Sequence, residues 1–501
     1  MFANIYTMPT EQLSDFKFKG IKGKEKMPTV IILTGRLGKN GKAPTTDKIA
    51  KICEAKGAPC IIVNSEKGVV EKTQSGIVLV GNKNEKLREI SLDNTVVLAR
   101  RSAINNNAAK TFFKKLEELG LPCVNTYDAV NLCEDKLQTT RALQRNKIPV
   151  PKTALASGED DIDKSVKEVG GKFPVVCKFI SGTKGIGVFS VDSRPSLVST
   201  LQAMWNLSPS TEIVMQEKIE ADYDLRIHVL GTSDGMGGRE YKVIAAMKRL
   251  RIEGDFRTNF SLGGEIEAVE LDKKTKKIAI ESAKAVGCLW AGVDIIIDKN
   301  TGDPYVLEVN SSPGTDGIEK ATGLNISQII ADFLTNKDNW LKPKKISGFR
   351  EIVTIPGVGS FVAKLDTGNG AASCSLHADS AGEEDGYLIW SMGGETYRNK
   401  ILGTSRAEVG KNLHIRPIIS LDVEFDGANY RKIRFSLVDR TEKSTPVLLN
   451  RDFMSLAGIV VDPSEDFILT DRPDGYSPKD AKGNPKAGVV MGEDPDDDND
   501  N

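Results

Sequence analysis

Residues 305–317 read YVLEVNSSPGTDG. An apolar run here delivers a carboxylate and an amide, Glu308 and Asn310, two residues apart, and on a strand that spacing turns both to one face. Fourteen residues upstream of Glu308 a second apolar run, AGVDIIID at 291–298, supplies Asp294. Three oxygen donors at the ends of neighbouring strands form a hard-cation site suited to magnesium beside a polyphosphate.

Further upstream, Lys178 precedes the loop SGTKGIG at 181–187. Gly182, Gly185 and Gly187 allow backbone N–H groups to close over phosphate oxygens, and the lysine adds a point charge. No helical pattern follows the loop, which separates it from Rossmann and Walker loops. Between this loop and Asp294 lie Glu217 and Lys218, then Asp224 and Arg226, then GDFRTN at 254–259. Charged groups set into apolar strand patterns are costly to bury unless paired or metal-bound. A second glycine-rich stretch, GRLGKNGK at 35–42, is not a P-loop: five residues separate Gly35 from Gly41, and Ala43 stands where Ser or Thr is required.

At 501 residues the chain is too long for one core, and roughly three domains are expected. The balance of 68 basic against 69 acidic residues creates no global field for nucleic acid or an anionic membrane. No apolar run approaches the roughly 20 residues needed to cross a bilayer, and residues 1–20 do not have the pattern of a secretory signal, so a cytoplasmic location is expected. The seven cysteines are odd in number, scattered and without a CxxC, which predicts reduced thiols rather than a disulfide framework or a zinc knuckle.

After an N-terminal extension (1–27), the runs TVIILTG, PCIIVNS, GIVLVG and TVVLARR predict a small α/β domain with a mainly parallel sheet over 28–127. A second domain is expected over 128–335: residues 128–146 read as one amphipathic helix, IPVPKT is extended, and strands follow with helix-like stretches at 273–286 and 326–334. Residues 336–346 read as a linker. Short strands with turn signals, from REIVTIPG to FILTD, predict an all-β domain over 347–471, and the polar end, 472–501, reads as a disordered acidic tail.

The ordered series EDKLQTTRALQRNKIPVPKT, FPVVCKFISGTKGIGV, AAMKRLRIEGDFRTN, AGVDI and LEVNSSPGTDGIEKATG resembles the RimK-like glutamate ligases of the ATP-grasp class, over about 96–334. The resemblance implies an ATP-grasp fold behind an α/β domain, with ATP and magnesium or manganese as cofactors. It matches Lys178 to the lysine on the α-phosphate side of ATP, Lys136 to a second nucleotide-facing lysine, Glu217 and Lys218 to the adenine hinge, and Asp224 to a ribose or nucleotide contact. Arg257, Thr258 and Asn259 match the segment near the γ-phosphate and acyl group, with Arg257 and Asn259 as catalytic candidates. Asp294, Glu308 and Asn310 match the metal ligands. The segment EKIEADYD at 217–224 is shorter than the family pattern. Implied partners are a carboxylate acceptor (protein C-terminus, peptide or small acid) and an amino acid, glutamate by resemblance. Arg226, Arg249 and Arg251 offer a basic lining for such an acid.

In the last third, AKLDTG at 363–368 sets Asp366 in a DTG turn. With REIVTIPGVGSFVAKLDTG, SLHADS, RPIISLDVEFDG, FSLVDR and PVLLNRDF, it resembles a retropepsin-like β-barrel family labelled ATP-dependent zinc proteases. Asn369 and Asn450 depart from that family's pattern. A single DTG implies that catalysis by Asp366 needs two copies of the chain, hence an even-numbered homo-oligomer. No paired His/Cys spacing indicates zinc. Two rival readings are a nucleotide-regulated aspartic peptidase and a non-catalytic nucleotide sensor.

Overall fold

The structure, a computed structural model, describes residues 26–35, 44–73, 77–179, 187–233, 239–251, 265–340, 344–409 and 412–476. The glycine-rich stretch 36–43, most of the N-terminal extension and the acidic end from residue 477 lie outside them. The chain divides into two compact units after residue 343.

The first unit opens with β1 (Thr29–Thr34), α1 (Pro44–Ala55) and β2 (Cys60–Asn64). β1 is apolar on both faces and buried, as a central parallel strand must be. Next come β3 (Gly68–Lys72), β4 (Val78–Asn82), β5 (Arg88–Ile90) and β6 (Thr95–Ala99), then α2 (Asn107–Glu118) and β7 (Cys123–Val124). The parallel sheet runs β2-β1-β6-β7. The run GIVLVG, expected in that sheet, belongs instead to a separate antiparallel meander, β3-β4-β5. The connection from β3 to β4 is too short for the crossover that parallel strands require. Asn106 caps α2 by accepting from Ala109 N at 2.9 Å, and Ala109, Phe112, Phe113 and Leu116 form its buried stripe.

The single helix expected over 128–146 is two, α3 (Tyr127–Glu134) and α4 (Lys136–Arg145). Asp135 between them is extended, and its carboxylate accepts from Gln138 N at 2.9 Å, so it acts as an N-cap rather than a mid-helix residue. β8 (Thr153–Ala156), α5 (Ile162–Glu168), β9 (Val175–Phe179), β10 (Val188–Val191), α6 (Arg194–Leu207) and β11 (Ile213–Glu217) follow, the strands ordered β10-β9-β11-β8. A second antiparallel sheet has the order β14-β13-β12-β15-β16. It is built from β12 (Tyr223–Ser233), β13 (Arg239–Leu250) and β14 (Ile266–Ala268), then, after α7 (Lys273–Ala285), β15 (Trp290–Ile297) and β16 (Pro304–Asn310). Leu225, Ile227, Val229, Val293 and Ile295 share one core with Ala279 and Ala283 of α7. Strand alternation therefore turns Asp224, Arg226, His228, Gly292 and Asp294 to the opposite face. α8 (Asp316–Thr322) and α9 (Ile326–Thr335) close the unit, tied to α1 by Lys48–Asp316 and Lys56–Asp332 ion pairs, both 2.6 Å.

The second unit comprises β17 (Lys345–Gly348), β18 (Arg350–Ile355), β19 (Gly359–Leu365), β20 (Cys374–His377), β21 (Ser380–Glu384), β22 (Tyr387–Met392), β23 (Glu395–Lys400), β24 (Gly403–Val409), β25 (Asn412–Phe425), β26 (Ala428–Val438), β27 (Val447–Leu449), α10 (Arg451–Ala457) and β28 (Ile459–Asp462). Six strands, β18-β19-β27-β20-β26-β25, close into a barrel through Thr354 opposite Glu424, and β24 extends the β25 edge. Closure removes the sheet edges that six strands would otherwise leave open. Lys345 and Ile346, expected in the linker, lie in β17, paired with β28. FILTD is not a strand: Ile468, Leu469 and Thr470 turn their N–H groups onto the buried carboxylate of Glu351. Nor is the unit wholly β, since Asn450 caps α10 by accepting from Phe453 N at 3.0 Å.

All seven cysteines are free thiols, six of them buried. No helix among the described residues is long and apolar enough to cross a membrane.

Candidate active site

The register of β15 and β16 sets Asp294 opposite Glu308 and Gly292 opposite Asn310, with a bulge after Asp294. Directly opposed residues stand about 5 Å apart on a sheet face, so two carboxylates and an amide oxygen converge on one patch. Glu308 Oε1 accepts from Asn310 Nδ2 at 3.0 Å. Among the described residues, no hydrogen bond reaches Glu308 Oε2 or Asn310 Oδ1. No group of three Asp, Glu, His or Cys among the described residues is arranged for a metal. The donor set here is instead two carboxylates and one amide, all hard oxygens of the kind magnesium takes.

Asp294 is buried between two guanidinium groups. Arg226, opposite it on β12, donates through Nε and through Nη2 at 2.7 Å, and Arg249 of β13 donates through Nη2 at 3.0 Å. Burial alone would raise the Asp294 pKa, but Arg226 and Arg249 outweigh it and hold the carboxyl well below its ordinary range. Arg249 also takes both oxygens of Asp224 at 2.6 Å. Arg226 Nη2 stands 3.8 Å from Glu308 Oε1, so one cation lies between both carboxylates.

This network bears on two expectations. Asp224, matched to a ribose or nucleotide contact, has its buried carboxylate paired with Arg249. Arg226 and Arg249, read as a lining for a substrate acid, face carboxylates of the chain itself. The hairpin register that opposes Asp224 to Arg249 is the cause, and it is not written in either strand alone.

Two lysines face the patch from other elements. Lys178 of β9 is pushed down to about 8 by burial, with Glu308 and Asp294 opposing and neighbouring Lys136 adding to the shift. Lys136, at the start of α4, is also lowered by burial, against the pull of Glu308. Both amines are thus held in the field of Glu308. Gly187 has φ +78°, and a Cβ there would meet the Phe179 ring at 2.1 Å, so glycine is required where the loop rejoins β10.

Glu217 accepts from Lys152 N at 2.8 Å, and Lys218 pairs with Glu220 at 3.3 Å. Gly182, Gly185, Arg257, Thr258 and Asn259 lie outside the described residues. Asp366 is in the second unit, apart from this cluster in sequence. Its N–H donates to Leu449 O at 3.0 Å, its Oδ1 accepts from Gly368 N at 3.0 Å, and Lys364 Nζ lies 3.3 Å from its Oδ2.

Sequence reasoning missed Asn125. Its buried amide accepts from Leu289 N (2.6 Å) and Trp290 N (3.0 Å) and donates to Trp290 O and Ser311 O, both 2.7 Å. It pins the start of β15 to the turn that follows Asn310. An isolated Asn after a two-residue strand carries no signal of that reach.

A model of the RimK-like ATP-grasp domain matches residues 133–334, ending before the second unit. A probable alpha-L-glutamate ligase of Vibrio atlanticus is 34% identical over 303 residues, covering 60% of this chain and 93% of its own length. The chain belongs to the RimK-like alpha-L-glutamate ligase family. Another member, from Shewanella loihica, is 38% identical over 226 residues, 45% of this chain and 70% of that one. The solved RimK domain ATP-grasp protein of Sphaerobacter thermophilus aligns over 62% of this chain and 100% of its own, with 19% identity and a TM-score of 0.45. As a RimK-like protein the chain is an ATP-grasp carbon–nitrogen ligase that forms amide bonds at the expense of ATP.

Proposed function

We propose that the chain joins a carboxylate acceptor to the amine of glutamate through an acyl phosphate. The acceptor carboxylate takes the γ-phosphoryl group of ATP, releasing ADP; the amine then attacks the acyl carbon, loses a proton and displaces inorganic phosphate. The reading is carried by one observation: Asp294, Glu308 and Asn310 share a sheet face within the field of Arg226, Arg249, Lys136 and Lys178. Asp294, Glu308 and Asn310 would hold magnesium, which when bound screens the charge of the transferred phosphoryl group.

The chain's own part is positioning and electrostatics, the main sources of catalysis in phosphoryl transfer. Lys178 and Lys136 would meet phosphate oxygens, with the backbone around Gly182, Gly185 and Gly187 covering them. Glu217 and Lys218 would flank adenine, and Asp224 would act through Arg249. Arg257, Thr258 and Asn259 would stand at the γ-phosphate and acyl carbon. Arg226 and Arg249 keep Asp294 ionised. The acceptor is a protein C-terminus, a peptide or a small acid, and glutamate is the amino acid for which the relatives are named.

The test supplies the acceptor with a heavy-oxygen-labelled carboxylate, with ATP, magnesium and glutamate. Transfer of one label into the released phosphate is the expected result. Unlabelled phosphate would sink the acyl phosphate.

For the second unit we propose a retropepsin-like module that pairs two chains. The strand arrangement around Asp366 supports it: β27 lies between β19, its parallel partner, and β20, its antiparallel partner, and Asp366 emerges at the end of β19. Peptide cleavage without ATP, lost in Asp366→Asn, would make it an aspartic peptidase. A monomer at all concentrations in sedimentation would refute the pairing.

A further inference from the structure

The face that carries Asp294 continues along β15 to Gly292 and Trp290, and there a group of donors lacks acceptors. Arg100, just beyond β6, is 5% exposed and sits over the Trp290 ring, 4.8 Å from its centroid. Its Nη2 donates to Pro313 O at 3.0 Å, but Nε and Nη1 have no partner. Trp290 Nε1 and the Ser312 hydroxyl, both buried atoms, also have none. Burial pushes the Arg100 guanidinium down to about 10, and no carboxylate offsets that burial.

His228, fully buried and edge-on to Trp290 at 6.1 Å, does not balance the charge. Burial first, then Arg226 and Arg100, push its pKa down to about 3, so the ring is neutral. Both its nitrogens are unpartnered as well. A buried cation without a counterion, beside further unsatisfied donors, is a costly arrangement that calls for an explanation.

The group adjoins the proposed reaction centre. Gly292 is two residues from Asp294, about 7 Å along the strand. A Cβ at Gly292 would come within 2.7 Å of Pro313 and 3.4 Å of Arg226, so the turn at 311–314 rests on the strand between the Arg226–Asp294 pair and Arg100. The planar fork of arginine fits a carboxylate.

We propose that Arg100, Trp290 and Ser312 line a subsite for a substrate carboxylate beside the turn at residues 311–314. The carboxylate belongs either to the amino acid that supplies the amine or to the acceptor. This subsite rests on the ligase reading, because it needs a substrate acid next to the Asp294–Glu308 patch. A purely structural role for Arg100, as a brace between Trp290 and Pro313, leaves Trp290 Nε1 and Ser312 Oγ unexplained.

The test is calorimetric binding to the full chain of two probes: L-glutamate, for the amino acid, and N-acetyl-L-glutamate, whose blocked amine imitates a peptide C-terminus. Trp290→Phe keeps the ring and removes only the unpartnered N–H, which covers the case in which Arg100→Gln does not fold. Hydrogen bonds to a charged ligand predict about tenfold weaker binding of one probe in Trp290→Phe and about 100-fold in Arg100→Gln. The probe that weakens identifies the source of the carboxylate. Unchanged affinity for both probes in Trp290→Phe and in any folded Arg100→Gln protein overturns the proposal, as does failure of both probes to bind the native chain. ADP formation by the native chain is read separately, so the ligase assignment and the subsite can fail independently.

Discussion

Replacing Asp294 by Asn should damage both the fold and the chemistry, whereas Glu308→Gln should damage the chemistry alone. Asp294 and Arg249 have side chains only 5% and 6% exposed, and Arg226 is 16% exposed. With Asp224 they form a buried set of two cations and two anions. Asparagine leaves one positive charge uncompensated and turns an amide donor toward guanidinium N–H groups. Breaking a buried pair by removing one partner costs about 3–5 kcal/mol, and the remaining approach of Arg226 to Glu308 places this case near the lower end, at about 3 kcal/mol. Glu308 is 42% exposed and 3.8 Å from Arg226, and glutamine can still accept from Asn310, so its loss should cost less than about 1 kcal/mol. Hydrogen exchange resolved to peptides of β12 and β15 is the assay. A loss of about 3 kcal/mol speeds exchange of the best-protected amides about 150-fold, alongside ADP formation measured with magnesium. Because the Asp294 pKa is depressed in the fold, its stabilisation is complete above the ordinary carboxylate range and is lost as pH falls through and below that range. The gap between the native chain and the Asp294→Asn variant should therefore close in acid. Equal exchange in the two variants, or magnesium-dependent turnover surviving in either, would refute the reasoning.

Three further outcomes follow from single residues. The Lys178 amine, held down to about 8, should lose its charge as pH rises through that value, so kcat/KM for ATP should fall there, and Lys178→Arg should remove that fall; a flat native profile would contradict it. Asn125→Ala strands two N–H and two C=O groups in the interior and should cost about 3–5 kcal/mol, seen as faster exchange at Leu289 and Trp290. In the second unit, Glu351 accepts from the N–H groups of Gly348, Ile468, Leu469 and Thr470, so Glu351→Gln, which turns a donor toward donors, should cost about 2–3 kcal/mol in that unit's unfolding, and an unchanged midpoint would exclude the role.

Residues two apart on an apolar run must share a face, and that alone placed Glu308 and Asn310 together. The pairing of Asp294 with Glu308 was legible only as two adjacent strands; their opposition depends on the bulge after Asp294, a tertiary detail. Arg226 and Arg249 read as free cations because charge in a strand pattern says nothing of the partner across the register. The break at Asp135 was visible in principle, since Asp followed three residues later by Gln has the form of a cap, but the apolar period across it read as one helix. FILTD alternates as a strand does and still forms none, because a buried carboxylate takes its N–H groups before a neighbouring strand can.

The central claim, that this chain builds glutamyl amides with ATP, is tested most directly by intact-mass spectrometry of a glutamate-ended acceptor peptide incubated with the full chain, ATP, magnesium and glutamate. The account predicts increments of one glutamate residue each, matched one for one by phosphate release and absent in Glu308→Gln. An unchanged mass, with or without phosphate release, would contradict it.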